Sequence, residues 1–452
     1  MNNQPILLSL KHRRTGRGAV FVLGLALFLF AGMLAGCQRA SAPTEISFSV
    51  FGEPAEIQSY QAIVDAFSEK HPEIKVNFSY VPEDAEYRQR LAIQFSAGNA
   101  PDVMLIDYRH VASYAALGGL EPVGPFLDKS SMVKASDYYT APMKAFTWDG
   151  SLWCIPQNIS SLAVYYNKDL FDAAGVPYPT NDWTQEDFLS AARTLTIDQD
   201  GDGTPDQYGV GISPLLIRAA PFIWQNGGQM VDDPQNPTRL TLDPPETKEA
   251  LQWFVDLQVK EHVVPDRVAE QASSSENRFL AGTLAMYFNS RRGVPTYRTI
   301  TSFDWDVAPL PAGKTFVTIL HSDGFCMSKN SANKDAAWTF IEYANSVEGQ
   351  TILSQTGRVV PSLISVAESP AFLDPNHPPA NSRIWLDTAD KVVPISIFPG
   401  WPGIEIVTNN ELSRAFYGIA PLENSIEDAQ RDTTEYFKEA FDFSKAPVEE
   451  DE

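Results

Sequence analysis

The run Asp198-Gln199-Asp200-Gly201-Asp202-Gly203-Thr204-Pro205-Asp206 places side-chain oxygens at positions 1, 3, 5 and 9 and a glycine at position 6, the spacing of an EF-hand calcium loop. Asp198, Asp200, Asp202, Thr204 and Asp206 are therefore candidate ligands for a structural calcium. Position 12, where such a loop supplies a bidentate Glu, is Gly209, so another group must complete the shell. The same residues also suit an ordinary Asp/Gly turn between a helix and a strand. A calcium here would stiffen its own part of the fold and would not touch a bound ligand.

No catalytic constellation stands out. HExxH, GxSxG and GxxxxGK[ST] are all missing, and the six His are too scattered to pair as metal ligands. Glycoside hydrolysis needs only two carboxyl groups flanking one bond, and a chain with 57 Asp and Glu contains many pairs whose separation the sequence does not reveal. A secreted carbohydrate-active enzyme therefore stays open as a rival class. An adhesive or structural lipoprotein would carry repeats or a low-complexity stalk, and neither is present. Two of the three Cys, Cys154 and Cys326, stand about 170 residues apart and could form a bond or remain as buried thiols.

The chain of 452 residues is 44% hydrophobic and carries a formal charge of −23. Its length and apolar content favour two lobes over one core. The acidic excess repels phosphate backbones and argues against nucleic acid as a partner. Lys11, Arg13, Arg14 and Arg17 precede an apolar stretch from Ala19 to Ala35, the pattern of a signal peptide over residues 1–36. Its end, Leu34-Ala35-Gly36-Cys37, resembles a bacterial lipobox, which makes Cys37 the expected lipid attachment point and residues 37–44 a polar tether. The protein is thus expected outside the cell or in the periplasm, held to the membrane by acyl chains. The acidic end, 444–452, reads as a tail.

Ile46, Phe48 and Val50 alternate with serines and give a strand. Gly52-Glu53-Pro54 then opens a helix with Ile57, Tyr60, Val64 and Phe67 on one face, and Ile74 to Tyr80 alternate again. This is a βαβ unit. A helix around Tyr87 to Ala97 and the apolar strand Val103 to Ile106 extend the α/β pattern. Ligands collect beyond the carboxyl ends of strands in such sheets, here Phe51-Gly52-Glu53 and Asp107-Tyr108-Arg109.

Four stretches carry a family resemblance: AIVDAFSEKHPEIKV from Ala62, FSAGNAPDVMLID from Phe95, YYNKDLF from Tyr165 and FLAGTLAMYF from Phe279. In this order and spacing, the sequence resembles the bacterial extracellular solute-binding proteins of the family that includes maltodextrin-binding protein, receptors of ATP-binding-cassette sugar importers. The resemblance implies a periplasmic-binding-protein-like α/β fold, with two lobes joined by hinge strands around a central cleft. It assigns 45–156 and 327–376 to the first lobe and 157–326 and 377–443 to the second, with crossings near Cys154 to Asn158, Ser322 to Cys326 and Asn376. It implies a monomeric receptor, not an enzyme, whose partners are a sugar or oligosaccharide and the permease subunits of an importer.

A sugar-binding site needs flat apolar surfaces for C–H faces and paired polar groups for hydroxyls. From the family pattern Trp401 is the expected stacking tryptophan, its loss costing affinity and little stability, and Trp224 is a second platform or core filler. The rim is expected from Glu53, Asp107, Tyr108 and Arg109 of the first lobe and from Gln157 and Asn158 at the hinge. Asn289, Ser290 and Arg291 come from the second lobe, with His321 and Asp323 at the return crossing. Arg358 suits rim or scaffold. Arg291-Arg292 stands where sugar receptors of this kind commonly carry a tryptophan. A guanidinium can stack or form two parallel bonds to an anion, so a uronate or sugar phosphate is the alternative to a neutral sugar.

Overall fold

The computed structural model describes residues 42–52 and 54–442. The signal-peptide segment, Cys37, Glu53 and the tail 444–452 lie outside the described residues. Strand β1 (Thr44–Phe51) is buried on both faces over its second half, which identifies it as an interior strand. Helix α1 (Pro54–Lys70) starts on a proline, whose missing N–H costs nothing in the first turn, and buries Tyr60, Ile63 and Phe67. Strand β2 (Ile74–Val81) returns parallel to β1, completing the expected βαβ unit.

A six-stranded sheet follows from adding β3 (Val103–Asp107), β4 (Leu120–Glu121), β5 (Cys154–Pro156) and one strand from much later in the chain. A second sheet of four strands consists of β6 (Ala163–Asn167), β7 (Tyr208–Gly211), β8 (Leu284–Asn289) and β9 (Trp305–Ala308), in the order β9-β6-β8-β7. The late strand β10 (Asp323–Ser328) pairs antiparallel with β3, β4 and β5, so the first sheet runs β2-β1-β3-β10-β4 with β5 beside β10. Two buried apolar clusters accompany the sheets. In the first, Phe48 packs against Phe78, Phe325 and Phe340, joining three distant chain segments.

The chain passes between the lobes where Ser160 and His321 exchange backbone hydrogen bonds at 3.0 and 2.8 Å, so two crossing segments support each other. All of Asp323 to Ser328 belongs to the first sheet. The return crossing is therefore complete before Asp323, earlier than the expected boundary at Cys326. Past residue 376, Asn381 bonds to Asp306 and Val307 of the second sheet. Cys154 and Cys326 face each other on paired strands and form a disulfide that ties β5 to β10 within the first sheet. Among the described residues no helix is long and apolar enough to cross a membrane.

Candidate functional site

The strands β1, β3 and β8 end at a common cleft of about 830 Å³, whose walls come from both sheets and from the crossing segments. This is the position an open α/β sheet reserves for ligands. At the end of β1, Gly52 adopts a positive φ of 139°, and a Cβ there would lie 2.7 Å from Glu56 Oε2. Only glycine lets the chain turn into α1 so tightly that Glu56, 2% exposed, reaches the cleft from the first turn. Glu53 was the expected carboxylate of this loop and is not among the described residues.

Asp107 caps helix α2 (Tyr108–Ala116) by accepting a hydrogen bond from Arg109 N at 2.9 Å, and its carboxylate also accepts from Arg109 Nε at 2.9 Å. The Arg109 side chain continues to Glu405 on helix α4 (Trp401–Phe416), reaching from one lobe to the other. This group is mostly buried, unlike an exposed surface pair. Burial opposes the Arg109 charge, but the carboxylates of Asp107 and Glu405 hold its pKa well above the usual value.

A second network surrounds Glu56. Its Oε1 lies 3.1 Å from Arg292 Nε and 3.2 Å from Arg358 Nε, and Arg358 Nη2 is 3.7 Å from Asp323. Arg358 is therefore buried scaffold that also lines the cleft. Burial pushes the Asp323 carboxyl up to about 6, against the pull of Arg358. Burial also drives His110 and His321 well below the ordinary imidazole range, aided by neighbouring arginines, so both are neutral. Arg218, on helix α3 (Leu216–Gln225), lies 3.4 Å from His321 Nε2, which makes that nitrogen the acceptor.

The structure brings together Asp107, Arg109, Asn158, Asn289, Ser290, His321 and Asp323 at the cleft. Asn158 is fixed at the hinge, donating to His321 O at 3.1 Å and accepting from Asp323 N at 2.9 Å. Asn289 donates to Tyr297 Oη at 2.6 Å.

Five expected residues do not reach the cleft surface. Tyr108 is fully buried, and its hydroxyl accepts from Ile395 N at 3.1 Å, because the first residue of α2 turns inward. Gln157 is fully buried beneath the hinge, donating to Tyr60 Oη at 3.0 Å. Trp224 packs half-buried against the second apolar cluster. Trp401 is 0% exposed in that cluster, edge-on to Phe398, so it is core and not a stacking platform. Arg291 is 0% exposed as well: its Nε donates to Gly357 O at 2.8 Å, its Nη1 to Ser382 Oγ at 2.9 Å, and Phe372 and Trp385 flank its guanidinium at 4.9 and 4.7 Å. That makes Arg291 part of the scaffold joining several chain segments.

Residues that sequence reasoning left off the site include Glu56, Asp84, Arg88, Arg218, Glu276 and Glu405. Several sit in the first turns of helices that begin at the cleft, a signal readable only once those helices are known to start there. Besides the imidazoles of His110 and His321, the aromatic rings that line it are Phe51 and Tyr287, and among the described residues no tryptophan does.

In the Asp-rich loop, carboxylate oxygens of Asp198, Asp200 and Asp206 lie within 4.8 Å of one another and are exposed. Asp198 accepts from Gly201 N and Gly203 N at 2.8 and 2.9 Å, and Asp206 accepts from Gln199 N at 2.8 Å. Asp202 does not join them; its carboxylate accepts from Thr204 N at 2.7 Å.

A bilobal α/β molecule with a polar interlobe cleft is the form of a solute receptor, and residues 52–351 match the family of bacterial extracellular solute-binding proteins. The chain belongs to this family and is the substrate-binding component of an importer. It is 24% identical over 421 residues to a protein of Brucella abortus (strain 2308) described as a binding protein, covering 88% of this chain and 96% of that relative. It is 24% identical over 318 residues to the erythritol/L-threitol-binding protein of Mycolicibacterium smegmatis, covering 64% of each chain. Among solved structures, an ABC substrate-binding protein of Listeria monocytogenes in complex with cycloalternan superposes with a TM-score of 0.80 at 25% identity, covering 87% of this chain and 98% of that one.

Proposed function

We propose that this protein captures a small, neutral, hydroxyl-rich solute, a sugar or polyol, and passes it unaltered to the permease subunits of an ATP-binding-cassette importer. The observation that carries this reading is the pairing of charges in the cleft. Arg88, Arg109, Arg292 and Arg358 each pair with a carboxylate that lines the same cleft. Such pairs present donors and acceptors in fixed directions, which suits hydroxyl groups, without the net positive field an anion requires. The absence of a lining tryptophan favours short, fully hydroxylated solutes over long oligosaccharides with extended apolar faces. The relative described as an erythritol/L-threitol-binding protein supports this class.

Closure supplies the mechanism. Two lobes, 45–156 with 327–376 and 157–326 with 377–443 apart from the strand at 323–326, would open to admit solute. Solute touching both would shift the population toward the closed form that permease subunits recognise. In this reading the chain is exported by its signal segment, anchored through acylated Cys37, monomeric and without catalytic activity of its own.

Calorimetry against polyols, monosaccharides, short oligosaccharides, uronates and sugar phosphates tests the reading. The expected result is tight binding within the neutral set and recovery of the solute unchanged. Tighter binding of a uronate or sugar phosphate, or release of a reaction product, would overturn it.

A further inference from the structure

Strand β8 ends at Asn289, and the residues 291–293 form a single tight turn that sends two adjacent arginines in opposite directions. A Cβ on Gly293 would lie 2.5 Å from the Tyr297 ring, so this turn needs glycine to pack. Arg291 goes into the scaffold, fully buried. The Arg292 side chain stays 45% exposed and lines the cleft.

Its guanidinium is held on two sides. The Phe51 ring lies beneath it, 5.7 Å from ring centroid to Cζ, and Nε is 3.1 Å from Glu56 Oε1. Glu56 is 3% exposed by side chain and shares this oxygen with Arg358. Among the described residues Nη1 and Nη2 of Arg292 have no partner. The result is a flat, oriented plate with two parallel donors directed away from its anchor. Phe51 and Glu56 belong to the first lobe and Arg292 to the second, so the plate is assembled only when the lobes approach as they do here.

We propose that Arg292 is a specificity-determining residue that recognises adjacent hydroxyl oxygens of a neutral polyol or monosaccharide. This rests on the sugar or polyol reading above and deepens it. Two terminal N–H groups about one oxygen spacing apart match a vicinal diol as they match a carboxylate. Glu56 offsets the charge that would otherwise favour the carboxylate, and Arg88, Arg109 and Arg358 are likewise matched by carboxylates. A lysine could supply neither the plane nor the fork.

The test compares the intact mature chain with R292K, R292M and, as a surface control, R431Q. Calorimetry uses erythritol, mannitol, glucose, 2-deoxyglucose, gluconate and glycerol phosphate as probes, with melting temperatures recorded for every variant. The expected result is that a neutral probe binds wild type tightest, and that R292K and R292M each weaken it at least about tenfold, the scale of one lost bidentate contact. The preference for glucose over 2-deoxyglucose, or for the longer polyol over the shorter, should collapse with it, while melting temperatures stay close to wild type. A purely structural role would move stability and leave that preference intact. Retention of affinity within about twofold in R292K would overturn the assignment of Arg292 alone. Tighter binding of gluconate or glycerol phosphate would overturn the diol assignment, and no binding of any probe by wild type would overturn the solute class as well.

Discussion

Burial separates side chains that sequence treats alike. Trp401 has the composition of a sugar platform and the surroundings of a core residue, with none of its surface exposed. Trp401→Ala is expected to cost about 3–5 kcal/mol of folding stability, the usual range for a buried tryptophan, measurable by denaturant unfolding. A loss confined to affinity would contradict its placement. Asp323 offers a pH-dependent readout. Its carboxyl is raised from 3.8 to about 6, so the native state retains a proton that the unfolded chain gives up. The contribution of this group to stability therefore falls as pH rises from about 4 to about 6 and is level above that. With Asp323 accepting from solute as a carboxylate, as the proposed function would have it, affinity is expected to drop as pH falls through about 6, and D323N to flatten that profile. Calorimetry between pH 5 and 7.5 checks both the midpoint and the sign.

Short connections between elements place these groups. Gly52→Ala forces a side chain against Glu56 at a backbone angle that L-residues rarely adopt, and should cost about 1–3 kcal/mol while also weakening solute binding. The disulfide between β5 and β10 sits beside the hinge but within one sheet. Replacing both cysteines with serine should lower stability by about 2–4 kcal/mol without changing which solute binds. In the Asp-rich loop three carboxylates repel one another at close range, and a calcium ion would relieve this. The expected outcome is a rise in melting temperature on adding calcium, reversed by chelation and abolished in D198N. No shift would mean that the backbone donors of Gly201, Gly203 and Gln199 suffice to hold the turn.

For the whole molecule, the lobes meet through ion pairs as well as through any solute: Arg109 with Glu405 and Arg292 with Glu56. Ser113 Oγ also donates to Pro399 O at 2.6 Å. Closure should thus be partly populated without solute, and E405Q should shift the ligand-free chain toward the open form. Small-angle scattering with and without solute measures this: the radius of gyration should decrease on binding in wild type, with a larger decrease in E405Q.

The α/β class, the first βαβ unit, the strand ending at Asp107 and the polar rim at Asp107, Arg109, Asn158, Asn289, Ser290, His321 and Asp323 were all legible in the sequence. The class, the βαβ unit and the strand ending at Asp107 depend on period-2 and period-3.6 patterns and on helix-starting and turn residues, whereas Asn158, Asn289, Ser290, His321 and Asp323 were expected from the family resemblance. Tertiary structure alone decided that Trp401, Tyr108, Gln157 and Arg291 face inward, that Glu56, Arg218 and Glu405 face the cleft, and that Cys154 meets Cys326. Those outcomes depend on which chain segments, hundreds of residues apart, pack against each side chain, and neighbours in sequence carry no record of that packing.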